Sequence, residues 1–262
     1  MLTKEQQQNY LVRIKKALCA GAEIASRYTP DKCEVFDRGG RDVVTEVDRR
    51  VGDVLRGQLL RPGEGWLSEE DPDEKERLSR EIVWVVDPLD GTREFVDGIP
   101  EWCISIGLVE NGVAVAGGTA NPATKEIFVG ALDCGVTYNG RLVRASARSS
   151  LHGARVLASR SEYKRGEWKG FEVNGFSVQP MGSVAYKLSL VAAGLADATW
   201  TLSPKHEWDV AAGVALVTAA GGRVRDLHNS AVLFNRSDPL LPGLLASGDN
   251  LWPEVAQLLC RV

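Results

Sequence analysis

Features that mark a membrane or secreted protein are absent from this chain. No apolar run approaches the roughly 20 residues that a transmembrane helix needs. The first nine residues are polar and lack the apolar core of a secretion signal. We therefore expect a cytoplasmic protein without a membrane partner.

Cysteine and histidine are too sparse to indicate the usual metal sites or nucleophiles. The five cysteines are scattered without a Cys-x-x-Cys spacing, which gives no sign of a zinc site or a disulfide framework. None of the three histidines lies beside a serine or cysteine motif of the hydrolase type. Any catalysis must therefore depend on carboxylates.

An excess of positive charge is absent as well. The net charge is −4 and no run of like charge occurs, so we expect no nucleic-acid polymer as a partner. Hydrophobic residues make up 44% and charged residues 25%, the balance of an ordinary globular protein with a sizeable core. An anionic substrate must then be attracted by local positive charge.

The hydrophobic pattern predicts helices and strands along the whole chain. Predicted helices cover residues 4–27, 46–60, 162–168, 184–193, 208–220 and a segment from residue 250. Predicted strands cover residues 82–86, 103–110, 113–118, 126–130, 155–158, 176–179, 196–200, 223–227 and 243–246. This order favours a layered α/β fold. We expect residues 1–150 and 151–262 to form two halves that pack as one unit.

One acidic motif follows the predicted strand 82–86. Residues 87–92 read Asp-Pro-Leu-Asp-Gly-Thr, with one carboxylate at the strand tip and another three residues later. Pro88 stiffens the turn, and Gly91 allows the backbone to approach a ligand closely. Asp, Pro and Gly also favour an ordinary turn. The motif alone therefore leaves two interpretations open, a ligand-binding site and a simple turn.

Two further acidic segments indicate a function only when they are considered together with the motif at 87–92. Alone, Glu69 and Glu70 are typical of a solvated surface pair, and Asp209 of a favourable charge at a helix start. With residues 87–92, however, Ser-Glu-Glu at 68–70 and Trp-Asp-Val-Ala-Ala-Gly at 208–213 resemble the motifs of the inositol monophosphatase superfamily, in the family's order. Val-Thr-Glu-Val-Asp at 44–48 and Ala-Ala-Gly-Gly at 219–222 extend the resemblance over nearly the whole chain.

The resemblance implies a Mg²⁺-dependent, lithium-sensitive phosphatase with alternating αβαβα layers. The implied metal ligands are Glu69, Asp87, the backbone carbonyl of Leu89, Asp90 and Asp209. Asp87 would bridge two ions, and Glu70 could exchange roles with Glu69. Oxygen ligands of this kind suit Mg²⁺ rather than zinc.

The resemblance also implies catalytic roles. Thr92 and Asp48 would orient and deprotonate an attacking water, and Glu69 would contribute through a further, weakly held ion. The backbone N–H groups of Gly91 and Thr92 would hold the phosphate. Homodimers are frequent in the family, so a homodimer is possible here, although the sequence shows no self-complementary patch.

The resemblance implies that the substrate is a small phosphorylated metabolite, and it favours one branch of the family. Thr-Arg-Glu-Phe at 92–95 resembles the CysQ-like 3′(2′),5′-bisphosphate nucleotidases, which convert adenosine 3′,5′-bisphosphate to AMP. In that interpretation Ser159, Ser183 and Lys187 line the substrate pocket, and Lys187 contacts the second phosphate. Lys187 could instead be an exposed helix lysine. The alternative function is an inositol-1-monophosphatase or another sugar or polyol phosphatase.

The sequence departs from the family pattern at three positions, and two other functional classes are alternatives to an enzyme. Glu162 replaces a histidine usual in nucleotidases, and Leu202 replaces the acid that binds inositol hydroxyls in inositol monophosphatases. Arg38 is a candidate substitute for a lysine usual in the family. A non-catalytic regulator that binds protein or RNA would be marked by loss of a metal carboxylate, and none is lost. A metal-binding scaffold without turnover is separated from an enzyme by a phosphate-release assay.

Overall fold

The computed structural model describes residues 1–39, 42–171 and 175–259. In these ranges the helices are α1 (Lys4–Ala25), α2 (Glu46–Leu59), α3 (Thr92–Val96), α4 (Arg160–Arg165), α5 (Val184–Ala192), α6 (Glu207–Ala219) and α7 (Trp252–Leu259). Helices α1, α2 and α5 start where the sequence supplies a capping side chain. Helix α1, for example, follows Thr3, whose hydroxyl accepts from the N–H of Gln6 at 3.3 Å while the side chain of Gln6 returns to the N–H of Thr3.

Seven strands form the larger sheet, in the order β3-β4-β5-β6-β7-β8-β9. They are β3 (Gly65–Ser68), β4 (Ile82–Asp90), β5 (Cys103–Glu110), β6 (Val113–Asn121), β7 (Glu126–Ala131), β8 (Gly135–Tyr138) and β9 (Arg141–Val143). β3 and β4 are parallel and the other pairs are antiparallel. The turn between β5 and β6 is Asn111-Gly112, and both residues have positive φ, as a tight hairpin requires.

Five strands form the second sheet, in the order β11-β10-β12-β16-β14. They are β10 (Arg155–Ser159), β11 (Ser177–Met181), β12 (Ala198–Thr201), β14 (Gly222–Asp226) and β16 (Leu244–Gly248). Two short antiparallel pairs complete the strands: β1 (Val35–Gly39) with β2 (Asp42–Thr45), and β13 (Lys205–His206) with β15 (Leu240–Leu241).

The helices and sheets stack as five layers. Helices α1 and α2 cover one face of the larger sheet, and α5 and α6 lie between its other face and the second sheet. Helices α4 and α7 cover the outer face of the second sheet, where Trp168, Trp200 and Trp252 form part of a buried cluster. The expected αβαβα layering is confirmed.

The sequence prediction was least accurate for short strands. It omitted β3, β8, β9 and the pairs β1–β2 and β13–β15, which are at most five residues long and lack a clear apolar alternation. It also ended β4 at Asp87, whereas the strand continues through the acidic motif to Asp90. The strands of the larger sheet precede residue 150 in the sequence and those of the second sheet follow it. The division into two halves stays a prediction.

No helix among the described residues is long and apolar enough to span a membrane.

Candidate active site

An irregularity in β4 brings the carboxylates of Asp87 and Asp90 to one side of the larger sheet. Side chains three residues apart in a regular strand point to opposite faces. Here Asp87 pairs with Ser105 of β5 but Asp90 pairs with Cys103, so three steps along β4 face two along β5. The bulge contains Pro88, which could not donate a hydrogen bond in a regular ladder. Both carboxylates consequently leave the sheet on the same side.

Parallel strand pairing places Glu69 beside Asp87. Ser68 of β3 lies opposite Val86 of β4, and the N–H of Glu69 donates to the carbonyl of Val86 at 3.3 Å. The two acidic residues therefore follow neighbouring strands at the same edge. Glu69 lines the cavity described below and Glu70 does not. This placement favours Glu69 as the residue that faces a metal.

Asp209 approaches from helix α6 on the other side. This helix packs tightly on the larger sheet because glycine faces it: a Cβ at Gly117 would lie 2.8 Å from Cα of Ala212. Asp209 lies in the first turn of the helix, where its Oδ2 accepts from the N–H of His206 at 3.0 Å. A carboxylate is favourable at this helix end.

The side chains of Glu69, Asp87 and Asp209 form an acidic cluster. Each offers an oxygen that lies within 4.8 Å of the others. The cluster lines a cavity of about 330 Å³, which Leu89, Asp90 and Thr92 also border. The structure thus brings together the five residues that the resemblance implies as metal ligands, although Asp90 lies outside the group of three.

Burial and mutual repulsion oppose ionisation of this cluster. Burial, followed by the charge of Asp209 and other nearby acids, raises the pKa of Glu69. Burial, followed by the charges of Glu69, Asp90 and Asp209, raises the pKa of Asp87 well above its usual value. A bound cation would remove this repulsion. Because the donors are carboxylate and carbonyl oxygens, the site fits a hard cation such as Mg²⁺.

Asp90 is held in place by the start of helix α5. Its Oδ2 accepts two hydrogen bonds, from the hydroxyl of Ser183 at 2.6 Å and from the N–H of Ala185 at 2.7 Å. Burial raises the pKa of Asp90, and these hydrogen bonds oppose the rise. One carboxylate oxygen is therefore fixed by protein donors.

Asp48 and Thr92 form a hydrogen-bonded pair at the edge of the cavity. The Thr92 hydroxyl lies 3.2 Å from Oδ1 of Asp48 and 3.0 Å from the carbonyl oxygen of Leu89, and it can donate to one of them at a time. The other Asp48 oxygen accepts from the N–H and the hydroxyl of Thr45 at 2.7 and 2.5 Å. Burial raises the pKa of Asp48 against these hydrogen bonds. The predicted catalytic pair is thus in contact, with Thr45 supporting it.

Gly91 and Thr92 form the turn into helix α3. Gly91 has φ +98°, and a Cβ there would lie 3.0 Å from the carbonyl oxygen of Glu101. Both the conformation and the close approach require glycine. Its predicted contact with phosphate stays a prediction.

The three predicted substrate residues, Ser159, Ser183 and Lys187, all border the cavity, and all three are buried. The hydroxyl of Ser159 lies 3.1 Å from that of Ser161. Lys187 is 3% exposed, so the exposed-lysine alternative is wrong. Its ammonium group donates to three backbone carbonyls, those of Met181 (3.2 Å), Gly182 (3.2 Å) and Ser183 (3.0 Å).

This arrangement leaves Lys187 no donor for a second phosphate, because an ammonium group has three N–H groups. Burial also lowers the pKa of Lys187 to about 8. The geometry therefore does not favour the substrate contact predicted for this residue.

The departures from the family pattern have structural explanations where the residues are described. Glu162 is buried and accepts from Thr201, Trp168 and the N–H groups of Leu202 and Ser203. Burial raises the pKa of this carboxyl, but the hydrogen bonds outweigh burial and lower it. Glu162 therefore organises a loop. The Arg38 side chain lies outside the described residues.

Two basic residues of the cavity were missed by the sequence reasoning. Lys205 lines the cavity, and its positive charge opposes the rise in the pKa of Asp90. Arg160 also lines it, at 3.6 Å from Glu94 and in an ion pair with Glu101. The sequence signal that could have identified Lys205 was its position four residues before Asp209, an implied metal ligand.

The chain is similar to curated proteins over most of its length. It is 34% identical over 228 residues to an inositol-1-monophosphatase of Mesorhizobium japonicum, which covers 82% of this chain and 84% of that protein. It is 31% identical over 238 residues to the Nus factor SuhB of Escherichia coli K12, covering 86% and 88%.

Solved structures show the same fold. The extragenic suppressor protein suhB of Bartonella henselae has a TM-score of 0.82 at 27% identity, covering 96% of this chain and 98% of that one. CysQ of Bacteroides thetaiotaomicron has a TM-score of 0.74 at 25% identity, covering 93% and 98%. This likeness does not single out CysQ, so the predicted CysQ-like branch is not confirmed. Residues 5–261 match the sequence profile of the inositol monophosphatase family, and the chain therefore belongs to that family.

Proposed function

We propose that this chain is a Mg²⁺-dependent phosphatase that hydrolyses the phosphate monoester of a small metabolite. The observation that carries the proposal is the cluster of Glu69, Asp87 and Asp209, whose oxygens converge within 4.8 Å in a cavity. Three carboxylates at this separation repel one another unless a cation lies between them. Thr92, whose hydroxyl lies 3.2 Å from Oδ1 of Asp48, borders the same cavity.

The protein residues divide into a binding group and a proton-accepting pair. Glu69, Asp87 and Asp209, with Asp90 and the carbonyl of Leu89, would hold the cations. When bound, such cations lower the pKa of water and neutralise the leaving oxygen of an in-line displacement.

Thr92 and Asp48 would move the proton of the attacking water. The Thr92 hydroxyl would take one proton from the attacking water while its own proton passes to Oδ1 of Asp48. The new P–O bond forms as the ester P–O bond breaks, and the leaving ester oxygen departs with the bonding electron pair and takes up a proton from solvent. Thr45 keeps Asp48 in this orientation through two hydrogen bonds. The N–H groups of Gly91 and Thr92 would hold the phosphate.

A polyol monophosphate such as inositol 1-phosphate is the first candidate substrate. The similarity to an inositol-1-monophosphatase supports it. Leu202 replaces the expected reader of hydroxyls and is absent from the cavity lining, so Ser159, Ser161 and Glu94 are the lining groups that could bind hydroxyls.

A bisphosphate such as adenosine 3′,5′-bisphosphate is the second candidate. Lys205 favours it, because a lysine on the cavity wall could bind a second phosphate. Lys205→Met should then raise KM for the bisphosphate about ten-fold and leave KM for inositol 1-phosphate nearly unchanged.

The test is phosphate release with and without Mg²⁺ from inositol 1-phosphate, adenosine 3′,5′-bisphosphate, fructose 1,6-bisphosphate and histidinol phosphate. We expect Mg²⁺-dependent turnover that Li⁺ inhibits. Equal rates in EDTA would contradict metal dependence. Absence of turnover on the whole panel would instead favour a regulatory role, which the similarity to a Nus factor keeps as the candidate of another class.

A further inference from the structure

We infer that Lys187 is a positioning residue that sets the orientation of Asp90 through the loop 181–183. The inference rests on the proposed function, because it treats Asp90 as a ligand of the cation. It gives Lys187 a role different from substrate binding.

The first step is the contact between Lys187 and the loop. The side chain turns back toward the start of its own helix, α5, and donates to the carbonyls of residues 181, 182 and 183 at 3.0–3.2 Å. Three successive carbonyls thus point at one buried ammonium group. Without it all three carbonyls would lose a charged donor, and the carbonyl of Ser183 would keep the backbone N–H of Lys187 at 3.3 Å. Loss of a donor is costly for buried backbone carbonyls.

The second step is the conformation that this contact maintains. Ser183 has φ +48°, in the region that favours glycine, and it is the residue that caps α5. A side-chain-bearing residue adopts this conformation only when its surroundings enforce it. Besides Lys187, the carboxylate of Glu101 enforces it by accepting from the N–H of Gly182 at 2.8 Å.

The third step connects the loop to the acidic cluster. In this conformation the hydroxyl of Ser183 donates to Oδ2 of Asp90 and also accepts from the N–H of Tyr186 at 3.0 Å. The N–H of Ala185 donates to the same Asp90 oxygen. The other oxygen of Asp90 is left for the cation. Loss of the Lys187 contacts would therefore change the orientation of a metal ligand from a distance.

A purely electrostatic role predicts the opposite effect on metal affinity. Lys187 is a positive charge near Asp90, and so is Lys205. If Lys187 acted only through its charge, removing it would strengthen the binding of a cation. If it positions Asp90, removing it weakens the binding. The sign of the change distinguishes the two.

The experiment measures Mg²⁺ binding by calorimetry without substrate, so that it does not depend on turnover. Lys187→Met should weaken Mg²⁺ binding about ten-fold or more, as loss of a residue that orients a metal ligand does. The matched control Lys205→Met removes a charge from the same cavity, and it should leave Mg²⁺ binding unchanged or strengthen it. Unchanged or stronger binding in Lys187→Met would overturn the inference.

A second pair of variants keeps the test decisive. Lys187→Gln retains two N–H donors and should recover part of the affinity, and it replaces the Met variant if that protein does not fold. Ser183→Ala should weaken Mg²⁺ binding in its own right, and Lys187→Met should add less than its full effect in that background. Full additivity would contradict a route through Ser183. A wild-type protein that binds no Mg²⁺ would instead contradict the proposed function.

Discussion

Asp87 and Glu162 are both almost fully buried carboxylates, 1% and 0% exposed, but their surroundings are opposite. Glu162 accepts hydrogen bonds from two side chains and two backbone N–H groups, and its pKa is lowered. Asp87 accepts from the N–H of Leu89 at 2.9 Å and otherwise faces other carboxylates, and its pKa is raised. The surroundings of Glu162 compensate its charge, whereas the charge of Asp87 is left to be neutralised by a proton or a bound cation.

This difference separates a structural carboxylate from a functional one without reference to any relative. A buried acid surrounded by donors stabilises the folded protein in its ionised state. A buried acid surrounded by acids is unfavourable until a ligand arrives, and natural proteins keep such arrangements mainly at functional sites. The comparison can be tested by replacing one of the two carboxylates at a time, Asp87 or Glu162, with the corresponding amide.

The largest effect is expected for Asp87→Asn. Because Asp87 lies in the centre of the acidic cluster, the variant should lose phosphatase activity to the background of the assay. It should also melt at a higher temperature than the wild type in EDTA, since one buried negative charge is removed. Melting curves in EDTA and phosphate release at saturating Mg²⁺ check both parts. Near-normal turnover would contradict the metal-site assignment.

The next effect concerns the proton-accepting pair. Thr92→Ala removes the hydroxyl that bridges the attacking water and Asp48, so kcat should fall about 100-fold, the lower end for general acid–base catalysis. Thr92→Ser keeps the hydroxyl and is the control, with a much smaller loss. Mg²⁺ affinity measured by calorimetry should change little in either variant. Equal losses of kcat in both would argue against a role for the hydroxyl.

The motif residues illustrate what the sequence can predict. The acidic motif 87–92 follows a buried apolar run, and this local signal correctly placed a strand before the motif, although the strand continues to Asp90. That Glu69 and Asp209 join them depends on parallel pairing of β3 with β4 and on the close packing of α6, which are long-range features. Resemblance to a family, and not local pattern, supplied that part.

Lys187 illustrates what the sequence could not predict. A lysine near a phosphate site is ordinarily expected to bind the phosphate. Whether it does depends on which groups compete for its three donors, and here the loop 181–183 turns its carbonyls toward it. Glu162 is similar, because its partners at 201–203 are some 40 positions away in the sequence. Contacts of this kind have no local signature.

Glu162→Gln is expected to change stability and not turnover. The amide oxygen can still accept from the loop 201–203, but the NH₂ group would face the indole N–H of Trp168, which then loses its acceptor. Leaving a buried donor unsatisfied costs about 1–3 kcal/mol. Urea unfolding should show this loss, while kcat of the folded variant stays within about two-fold of the wild type. A large loss of kcat at unchanged stability would show that Glu162 acts in catalysis.

The smallest effect concerns Asp73, a carboxylate compensated by a cation of the protein itself. Hydrogen bonds from the buried Arg77, at 2.7 and 2.9 Å, lower the pKa of Asp73 to about 2 against the effect of burial, and Lys75 contributes further. Because the pKa in the folded state is below the ordinary value, this stabilisation is present above about pH 4 and is lost as the pH falls toward 2. After allowance for partial exposure it amounts to about 1–2 kcal/mol. The free energy of unfolding of the wild type should therefore fall more steeply between pH 4 and 2 than that of Asp73→Asn, measured with urea in EDTA. Parallel pH profiles for the two proteins would show that the interaction of Arg77 with ionised Asp73 adds nothing to the free energy of unfolding.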